Sequence, residues 1–317
     1  MNAIMVPLDG SAFAEQALPL AMTLARRSNS RIHLTLAAAP ASEITAAAAE
    51  YLSGMAARLE SGMSEGVTYS VLTPDPGAPA WPMPACSSVA DVLARYVVDQ
   101  DIGLVVLTTH GRGGVRRAWL GSTADAFVRI APRPVLLVRP GDEEVAITAA
   151  DFSLRHVVIP LDGSETSERA IPIAQEIGSL FGARYTLVRV VVPFTPDIST
   201  EWYGVHPFEP TLNLESAARY LANVANSMRE RGLNVATQVI ESSSPAGAII
   251  DYATSQDAGL IVLMSSGAGG IRRLLLGSVA DKVVRSGSVS VLVCNTQYVV
   301  RSAGVRDAPA SASVAPV

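Results

Sequence analysis

Two glycine-rich segments, each following a hydrophobic run, are the parts of this sequence best suited to chemistry. They are HGRGGVRRAWLGSTAD, from His110 to Asp125, and GAGGIRRLLLGSVAD, from Gly267 to Asp281. Both reach Gly-Ser just before a helical pattern, where unpaired N–H groups and the positive end of the helix dipole favour a phosphate. Glycines let backbone N–H groups approach phosphate oxygens without a Cβ in the way. The pattern therefore predicts two phosphate-binding loops.

Each predicted loop is accompanied by the end of an earlier strand, where Pro-Leu-Asp recurs at residues 7–9 and 160–162. In an open α/β sheet, ligands bind beyond the carboxyl ends of the strands. The two aspartates would tie a turn, hydrogen-bond a ribose or base, or hold a metal. The expected binding residues are Pro7, Leu8, Asp9, Thr108, Gly111, Arg112, Gly113, Gly121, Ser122 and Thr123 in the first copy, and Pro160, Leu161, Asp162, Gly267, Gly269, Gly277, Ser278 and Val279 in the second.

A second interpretation of the Gly-Ser motif needs no ligand. Ser122-x-x-Asp125 and Ser278-x-x-Asp281 both fit a capping box with Asp in place of Glu. A cap requires only the serine, whereas the glycines are duplicated together with it. This duplication favours the phosphate interpretation.

The motifs belong to a repeat that covers most of the chain. IMVPLDGS, which begins at Ile4, and VVIPLDGS, which begins at Val157, are identical in five of eight residues. The two glycine segments are separated along the sequence by nearly the same number of residues as these two octapeptides. Each copy is therefore a whole domain rather than a solenoid unit of about 20 to 50 residues. We expect domains at residues 1–142 and 156–297, a linker at 143–155 and a disordered tail at 298–317.

Within each copy, short β-branched runs alternate with helical patterns, which is typical of βαβ units around a parallel sheet. Runs such as LVVL and LIVL lack period-two alternation, as expected for strands covered on both faces. The expected strands are Ala3–Leu8, Arg31–Ala38, Val67–Leu72, Leu104–Thr108, Val135–Val138, His156–Leu161, Arg184–Val191, Val235–Glu241, Leu260–Met264 and Val289–Val293. The expected helices are Ala12–Arg27, Glu43–Ser61, Ser87–Asp99, Thr123–Ile130, Glu165–Phe181, Asn213–Arg231, Ala246–Ser255 and Val279–Ser286.

Composition and charge exclude several classes of protein. The net charge of −5 argues against a nucleic-acid binder, whose affinity depends on many Lys and Arg contacts to phosphate. Lys282 is the sole lysine and does not follow a glycine, which excludes a P-loop. Cys86 and Cys294 lie far apart and suggest neither a zinc site nor a disulfide framework.

The distribution of apolar residues gives an expectation about location. No apolar run approaches the roughly 18 to 20 residues that a membrane span requires. The segment MNAIMVPLDG has no basic start and reaches Asp9 too early for a signal peptide. We therefore expect a cytoplasmic protein without membrane contact.

With these motifs in two copies, the chain resembles the universal stress protein family, with two such domains over about residues 1–297. The family's ATP-binding signature is Gly, two residues, Gly, nine residues and Gly-Ser or Gly-Thr. Its second glycine and closing pair are matched by Gly111 with Gly121-Ser122, and by Gly267 with Gly277-Ser278. The first glycine is replaced by Thr108 in one copy and Met264 in the other. A threonine can be accommodated there, whereas the larger methionine could close the pocket.

The resemblance implies an adenine nucleotide alpha hydrolase-like α/β fold, with two open parallel five-stranded sheets of order 3-2-1-4-5 and helices on both faces. It implies ATP or AMP as the ligand, near Asp9 and Asp162, and a magnesium ion held only through the nucleotide. It also implies pairing through the fifth strands, Val135–Val138 and Val289–Val293, as in a dimer folded within one chain. A homodimer of whole chains and a protein partner of unknown identity stay open.

These features favour an adenine-nucleotide-binding stress-response regulator, with binding expected foremost in the first domain. A fast enzyme is not expected, because His110 beside the first loop is replaced by Ser266 in the second. ATPase activity would be at most slow hydrolysis with a metal on Asp9 or Asp162.

The alternative is a stress scaffold that binds no nucleotide and acts through protein contacts. A dinucleotide-binding dehydrogenase is disfavoured, because the loop follows the fourth strand and lacks G-x-G-x-x-G.

Overall fold

The computed structural model describes residues 1–38, 42–74, 88–109, 121–139, 154–193, 214–265, 276–286 and 288–295. The strands in these ranges are β1 (Ala3–Leu8), β2 (Arg31–Ala37), β3 (Val67–Leu72), β4 (Leu104–Thr108), β5 (Val135–Val138), β6 (His156–Pro160), β7 (Arg184–Val191), β8 (Val235–Glu241), β9 (Leu260–Met264) and β10 (Ser290–Cys294). The helices are α1 (Ala12–Glu15), α2 (Leu18–Ser28), α3 (Ser42–Glu60), α4 (Val89–Asp99), α5 (Ser122–Ile130), α6 (Glu165–Glu168), α7 (Ala170–Ser179), α8 (Leu214–Arg229), α9 (Pro245–Ser255) and α10 (Ser278–Ser286).

The ten strands form one continuous sheet in the order β3-β2-β1-β4-β5-β10-β9-β6-β7-β8. Each copy therefore has the expected order 3-2-1-4-5, and its internal strand pairs are all parallel. The two halves meet where β5 pairs antiparallel with β10, with Leu136 opposite Leu292. The pairing expected between the fifth strands is confirmed.

The first long helix of each copy is interrupted, and the expectation of one helix over Ala12–Arg27 and one over Glu165–Phe181 is wrong. In the first copy α1 ends at Glu15 and α2 begins at Leu18. A proline ring clashes with the carbonyl four residues earlier and has no N–H to donate. Pro19 stands four residues after Glu15, and Pro172 stands four residues after Glu168, where α6 ends. The two breaks therefore have the same cause.

Two apolar layers cover the sheet, one on each face. Leu18 and Leu52, from α2 and α3, are fully buried in the layer that also receives α7 and α8. Leu93 and Phe127, from α4 and α5, are buried in the other layer together with α9 and α10. Burial of a side chain of this size stabilises a fold by about 1.5 to 3 kcal/mol. The layers hold the strands rigidly, so their carboxyl ends are fixed points for a site.

Helices α5 and α10 carry four charged side chains that join the two halves. Arg129 Nη2 lies 3.0 Å from Asp125 Oδ1 within α5 and 3.2 Å from Asp281 Oδ1 on α10. Arg285 repeats the arrangement, with Nε 3.0 Å from Asp281 Oδ2 and Nη2 2.6 Å from Asp125 Oδ1. Each guanidinium therefore contacts one carboxylate from each domain.

A second set of contacts ties the end of each fifth strand to the other half. Asn295, just after β10, donates from Nδ2 to the carbonyls of Val128 at 2.9 Å and Ala131 at 2.8 Å. Arg139, just after β5, donates from Nη2 to the carbonyl of Val284 in α10. The last carbonyls of a helix lack intrahelical donors. Each domain thus supplies donors near the carboxyl end of the other domain's last helix.

Candidate functional site

The first predicted site lies at the carboxyl edge of β1 and β4. These strands are parallel neighbours, with Ile4 opposite Leu104, so Asp9 and Thr108 lie at the same edge of the sheet. Across the glycine segment, the N–H of Gly121 donates to the carbonyl of Thr109 at 3.1 Å. This bond brings the first turn of α5 next to the end of β4. The strand tip and the Gly-Ser motif are therefore brought to one edge.

The second copy repeats this geometry around β6 and β9. Val157 lies opposite Leu260 in the parallel pair, which places Asp162 and the end of β9 at one edge. The N–H of Gly277 donates to the carbonyl of Ser265 at 2.6 Å, as Gly121 does in the first copy. Met264, the last residue of β9, is buried in the core layer that contains Cys294. Both edges thus have the same construction.

The exposure of the predicted residues differs along each edge. Asp9 and Asp162 are exposed, as are Ser122 and Ser278 at the first positions of α5 and α10, whereas Thr108 is buried. The structure also places Pro7, Leu8, Gly121 and Thr123 at the first edge and Pro160, Leu161, Gly277 and Val279 at the second. The predicted residues Gly111, Arg112, Gly113, Gly267 and Gly269 lie outside the described residues.

The aspartates tie the turn that follows each first strand. Asp9 Oδ1 accepts hydrogen bonds from the backbone N–H and hydroxyl of Ser11 at 2.9 and 2.5 Å. Asp162 Oδ1 does the same with Ser164 at 3.0 and 2.5 Å. Each serine hydroxyl in turn caps the following helix, accepting from Ala14 or Ser167 at 3.1 Å. One carboxylate oxygen is therefore committed to positioning the edge.

The capping-box interpretation of Ser122 is wrong. Gly121 is the N-cap of α5, and its carbonyl accepts from the N–H of Asp125 at 2.8 Å, so Ser122 is the first helical residue. The carboxylate of Asp125 contacts Arg129 and Arg285. Hydrogen bonds to charged groups are stronger than neutral ones, which explains why the aspartate turns toward the guanidinium groups. The serine hydroxyl is thereby left at the amino end of the helix.

The same conclusion holds for Ser278 in the second copy. Here α10 begins at Ser278, and the N–H of Asp281 donates to the carbonyl of Gly277 at 2.8 Å. Its carboxylate pairs with Arg285 and Arg129. Both Gly-Ser motifs therefore present a hydroxyl beside the first N–H groups of a helix.

A half-buried tyrosine stands beside each edge, and the sequence patterns did not indicate either one. Tyr51 on α3 donates to Glu15 Oε1 at 2.8 Å, and Tyr220 on α8 donates to Glu168 Oε1 at 2.8 Å. Burial, and then the hydrogen bond to the glutamate, raises the pKa of both phenols well above the usual value. Both tyrosines are therefore protonated donors at neutral pH.

One difference between the second strands of the two copies changes the charge beside the edge. The pairs Ala3–Arg31 and His156–Arg184 occupy equivalent registers, so Arg189 on β7 corresponds to Leu36 on β2. Arg189 is 5% exposed, and its guanidinium carbon lies 5.2 Å from the centre of the Tyr220 ring. In the sequence, Arg189 can be noticed only as a charged residue inside the apolar run TLVRVVV.

The described ranges contain no group of three or more His, Cys, Asp or Glu side chains arranged to hold a metal ion. Within the same ranges, no helix is long and apolar enough to span a membrane.

Comparison with known proteins gives the same result for both halves. The model of the Universal stress protein family matches residues 1–139 and 153–295. A universal stress protein of Methanocaldococcus jannaschii is 32% identical over 139 residues, covering 44% of this chain and 81% of that protein. One from Mycobacterium tuberculosis is 29% identical over 202 residues, covering 62% of this chain and 63% of its own length.

Solved structures agree on the fold over nearly the whole chain. A universal stress protein from Archaeoglobus fulgidus superposes with a TM-score of 0.65 and 18% identity, covering 93% of this chain and 98% of that one. A Pseudomonas aeruginosa protein gives a TM-score of 0.67 and 17% identity, covering 95% and 96%. With two matches of the family model that together span most of its residues, the chain belongs to the universal stress protein family.

Proposed function

We propose that this protein binds an adenine nucleotide, ATP or AMP, at the carboxyl edge of the first domain and acts as a nucleotide-dependent stress-response regulator. The observation that carries the proposal is the meeting of the Asp9 turn, the end of β4 and the Gly121-Ser122 motif at one edge. Ligands of open α/β sheets bind at such an edge. The construction is repeated in the second domain, which is a second candidate site.

The two ends of the edge suit different parts of a nucleotide. At one end, the exposed hydroxyl of Ser122 and the N–H groups of the first turn of α5, which have no acceptor within the helix, suit phosphate oxygens. At the other, the carboxylate of Asp9 accepts hydrogen bonds and suits ribose hydroxyls. A magnesium ion would reach this edge only with the phosphates of the nucleotide.

The proposed function is binding rather than rapid turnover. His110, the candidate base beside the first loop, is replaced by Ser266 in the second copy, so a mechanism shared by both copies cannot require it. An experiment can distinguish binding alone from slow ATP hydrolysis with a metal on Asp9 or Asp162. Turnover that persists unchanged in Asp9→Ala and Asp162→Ala would remove that possibility.

The direct test is to purify the full chain without added nucleotide, denature it and quantify the released nucleotide by chromatography and mass spectrometry. About one adenine nucleotide per chain supports binding in one domain, and about two would show that Met264 does not close the second site. When nothing is released, titration with ATP, ADP and AMP decides. A ligand at 100 times its Kd adds about 2.7 kcal/mol to the free energy of unfolding.

Site-specific variants assign the binding to a domain. Asp9→Asn changes the first edge and Asp162→Asn changes the second, so each is the control of the other. We expect Asp9→Asn to weaken ATP binding more than Asp162→Asn does. Absence of any response to ATP, ADP and AMP in the unchanged protein would contradict the proposal and favour a scaffold that acts through protein contacts.

A further inference from the structure

The guanidinium of Arg189 is buried with two of its nitrogens unsatisfied. Nε and Nη1 have no hydrogen-bond partner among the described residues, and the side chain is 5% exposed. No ion pair within the described ranges includes this arginine. An arginine remains charged at any physiological pH. The fold therefore holds a positive charge that is only partly compensated.

The contact with Tyr220 does not compensate these two nitrogens. A cation–π contact uses the face of the guanidinium, here 5.2 Å from the ring centre, whereas N–H hydrogen bonds leave from its edge. Buried N–H groups are costly when they have no acceptor, and more so when the group is charged. The unsatisfied atoms therefore call for acceptor atoms from outside the described residues.

The position of Arg189 shows where such acceptors would come from. Its Nη1 lies directly against Gly163, in the turn that follows Asp162 at the carboxyl edge of β6. A Cβ at Gly163 would overlap this nitrogen, so the glycine leaves the space that the guanidinium occupies. The unsatisfied donors thus lie at the edge where the second domain would bind its ligand.

We propose that Arg189 makes the second domain an anion site, in which the guanidinium binds a phosphate or carboxylate oxygen of a small ligand at the Asp162–Gly163 turn. The inference rests on the proposed function only in taking this edge as a ligand site. In the first domain, Leu36 occupies the equivalent position and offers no charge. The two domains therefore differ in the chemical group that they accept beside the first strand.

The neighbouring carboxylates make the arginine necessary for this specificity. Asp162 and Glu168 both act electrostatically on Tyr220, so both lie near the guanidinium that covers its ring. Without Arg189 their negative charges would repel an anion. Both carboxylates already accept hydrogen bonds, Asp162 from the Ser164 hydroxyl and Glu168 from the Tyr220 hydroxyl. Neither accepts one from Nε or Nη1 of the arginine.

The test compares the full-length chain with Arg189→Leu, which introduces the residue of the first domain. Arg219→Leu is the matched control, because it removes the same charge from an exposed position on α8. Thermal unfolding is followed in sodium chloride, phosphate and citrate at equal ionic strength. Phosphate and citrate also stabilise proteins by exclusion from their surface, so the difference between variants is the quantity of interest.

We expect phosphate or citrate to raise the Tm of the unchanged chain and of Arg219→Leu by about 2 °C or more beyond chloride, and at most half as much in Arg189→Leu. The anion with the larger arginine-dependent shift identifies the class of ligand group. In chloride alone, Arg189→Leu should melt no lower than the unchanged chain, since it removes a charge without acceptors. A lower Tm together with an intact anion response would overturn the proposal and make Arg189 a structural residue.

Titration with ATP separates this inference from the proposed function. If Arg189→Leu still binds ATP in the first domain but loses the anion response, both stand. If the unchanged chain binds no adenine nucleotide yet shows an arginine-dependent response to phosphate or citrate, the anion site stands and the adenine-nucleotide proposal falls. If no arginine-dependent response is found in either anion, the inference fails whatever ATP does.

Discussion

Arg285 Nη2 in the second domain lies 2.6 Å from Asp125 Oδ1 in the first, and the contact joins the helices that begin at the two Gly-Ser motifs. Asp125 and Asp281 both stand in the first turn of their helices, a few residues from the proposed phosphate positions. The network therefore fixes the orientation of one candidate site relative to the other. Its contribution to stability can be measured directly.

We expect Asp125→Asn to lower the free energy of unfolding by about 1 to 3 kcal/mol, because it leaves Arg129 and Arg285 with one carboxylate between them in a partly buried place. Glu215→Gln is the control, since its pair with Arg219 is largely exposed. That change should cost less than about 0.5 kcal/mol. Urea denaturation of both variants measures the two values, and similar losses would show that the network adds nothing beyond a surface pair.

Gly163→Ala should destabilise the protein more than Gly232→Ala. The two glycines have φ of +82° and +81°, so both substitutions carry the same backbone strain. A Cβ at Gly163 would overlap Arg189, whereas nothing lies within 4 Å of one at Gly232. We expect an additional loss of about 1 kcal/mol at Gly163, measured by urea denaturation. In the double variant Gly163→Ala/Arg189→Leu, this additional loss of stability should disappear. If the full loss persists, overlap with Arg189 is not its cause.

Stability should fall as the pH drops below about 6.5, partly because of His156. Burial is the main cause that holds its pKa below 6.5; the hydrogen bond to the Gln256 carbonyl opposes it, the Arg184 guanidinium adds to it, and Asp257 opposes it weakly. Below pH 6.5 the unfolded chain therefore binds a proton that the folded chain does not bind, so the stabilisation present above 6.5 is lost as the pH falls through the lowered pKa. His33 contributes with the same sign, for the same principal reason of burial.

The measurement for this prediction is the free energy of unfolding of the unchanged chain and His156→Gln between pH 7.5 and 5. We expect a shallower loss of stability in the variant, because one of the two protonation differences is removed. Parallel pH profiles would show that His156 is protonated equally in the folded and unfolded chain.

Cys294 should be unreactive toward thiol reagents until the protein unfolds. The residue is fully buried in β10, at the centre of the ten-stranded sheet, and burial raises the pKa of its thiol. The thiolate is the reactive species, so both access and ionisation are suppressed. In a Cys86→Ser variant, which leaves a single thiol, we expect modification by Ellman's reagent at pH 8 only in denaturant. Rapid labelling of the native chain would instead indicate opening of the β5–β10 junction.

The sequence was sufficient to predict the strands, because each is a run of apolar or β-branched residues bounded by turn residues, whereas their order in the sheet was implied by the family resemblance. Nine of the strands overlap their predicted ranges to within a residue at each end, and β10 is displaced by one, to Ser290–Cys294. The helix breaks were also encoded, since Pro19 and Pro172 stand inside the helical patterns. The pattern of apolar residues continues through them, which concealed the interruption.

The candidate site was less predictable, because its details depend on contacts between distant residues. The Asp125 carboxylate accepts a hydrogen bond from Arg285 in the other domain instead of pairing with Ser122 nearby. The spacing of residues along the sequence cannot show a contact between domains. Arg189 carries no motif, and its significance appears only when the registers of β2 and β7 are compared. Residues 110–120 and 267–275 of the glycine-rich segments lie outside the described residues, so their role in binding stays a prediction.

The β5–β10 junction joins two copies that are encoded in one polypeptide. In a dimer of identical chains, every mutation alters both subunits at once, so the two sites cannot diverge. Here Leu36 and Arg189 could be selected separately, and each chain still carries one copy of each edge at any expression level or dilution. Duplication within one chain therefore lets the two edges differ in sequence while their ratio stays fixed at one to one.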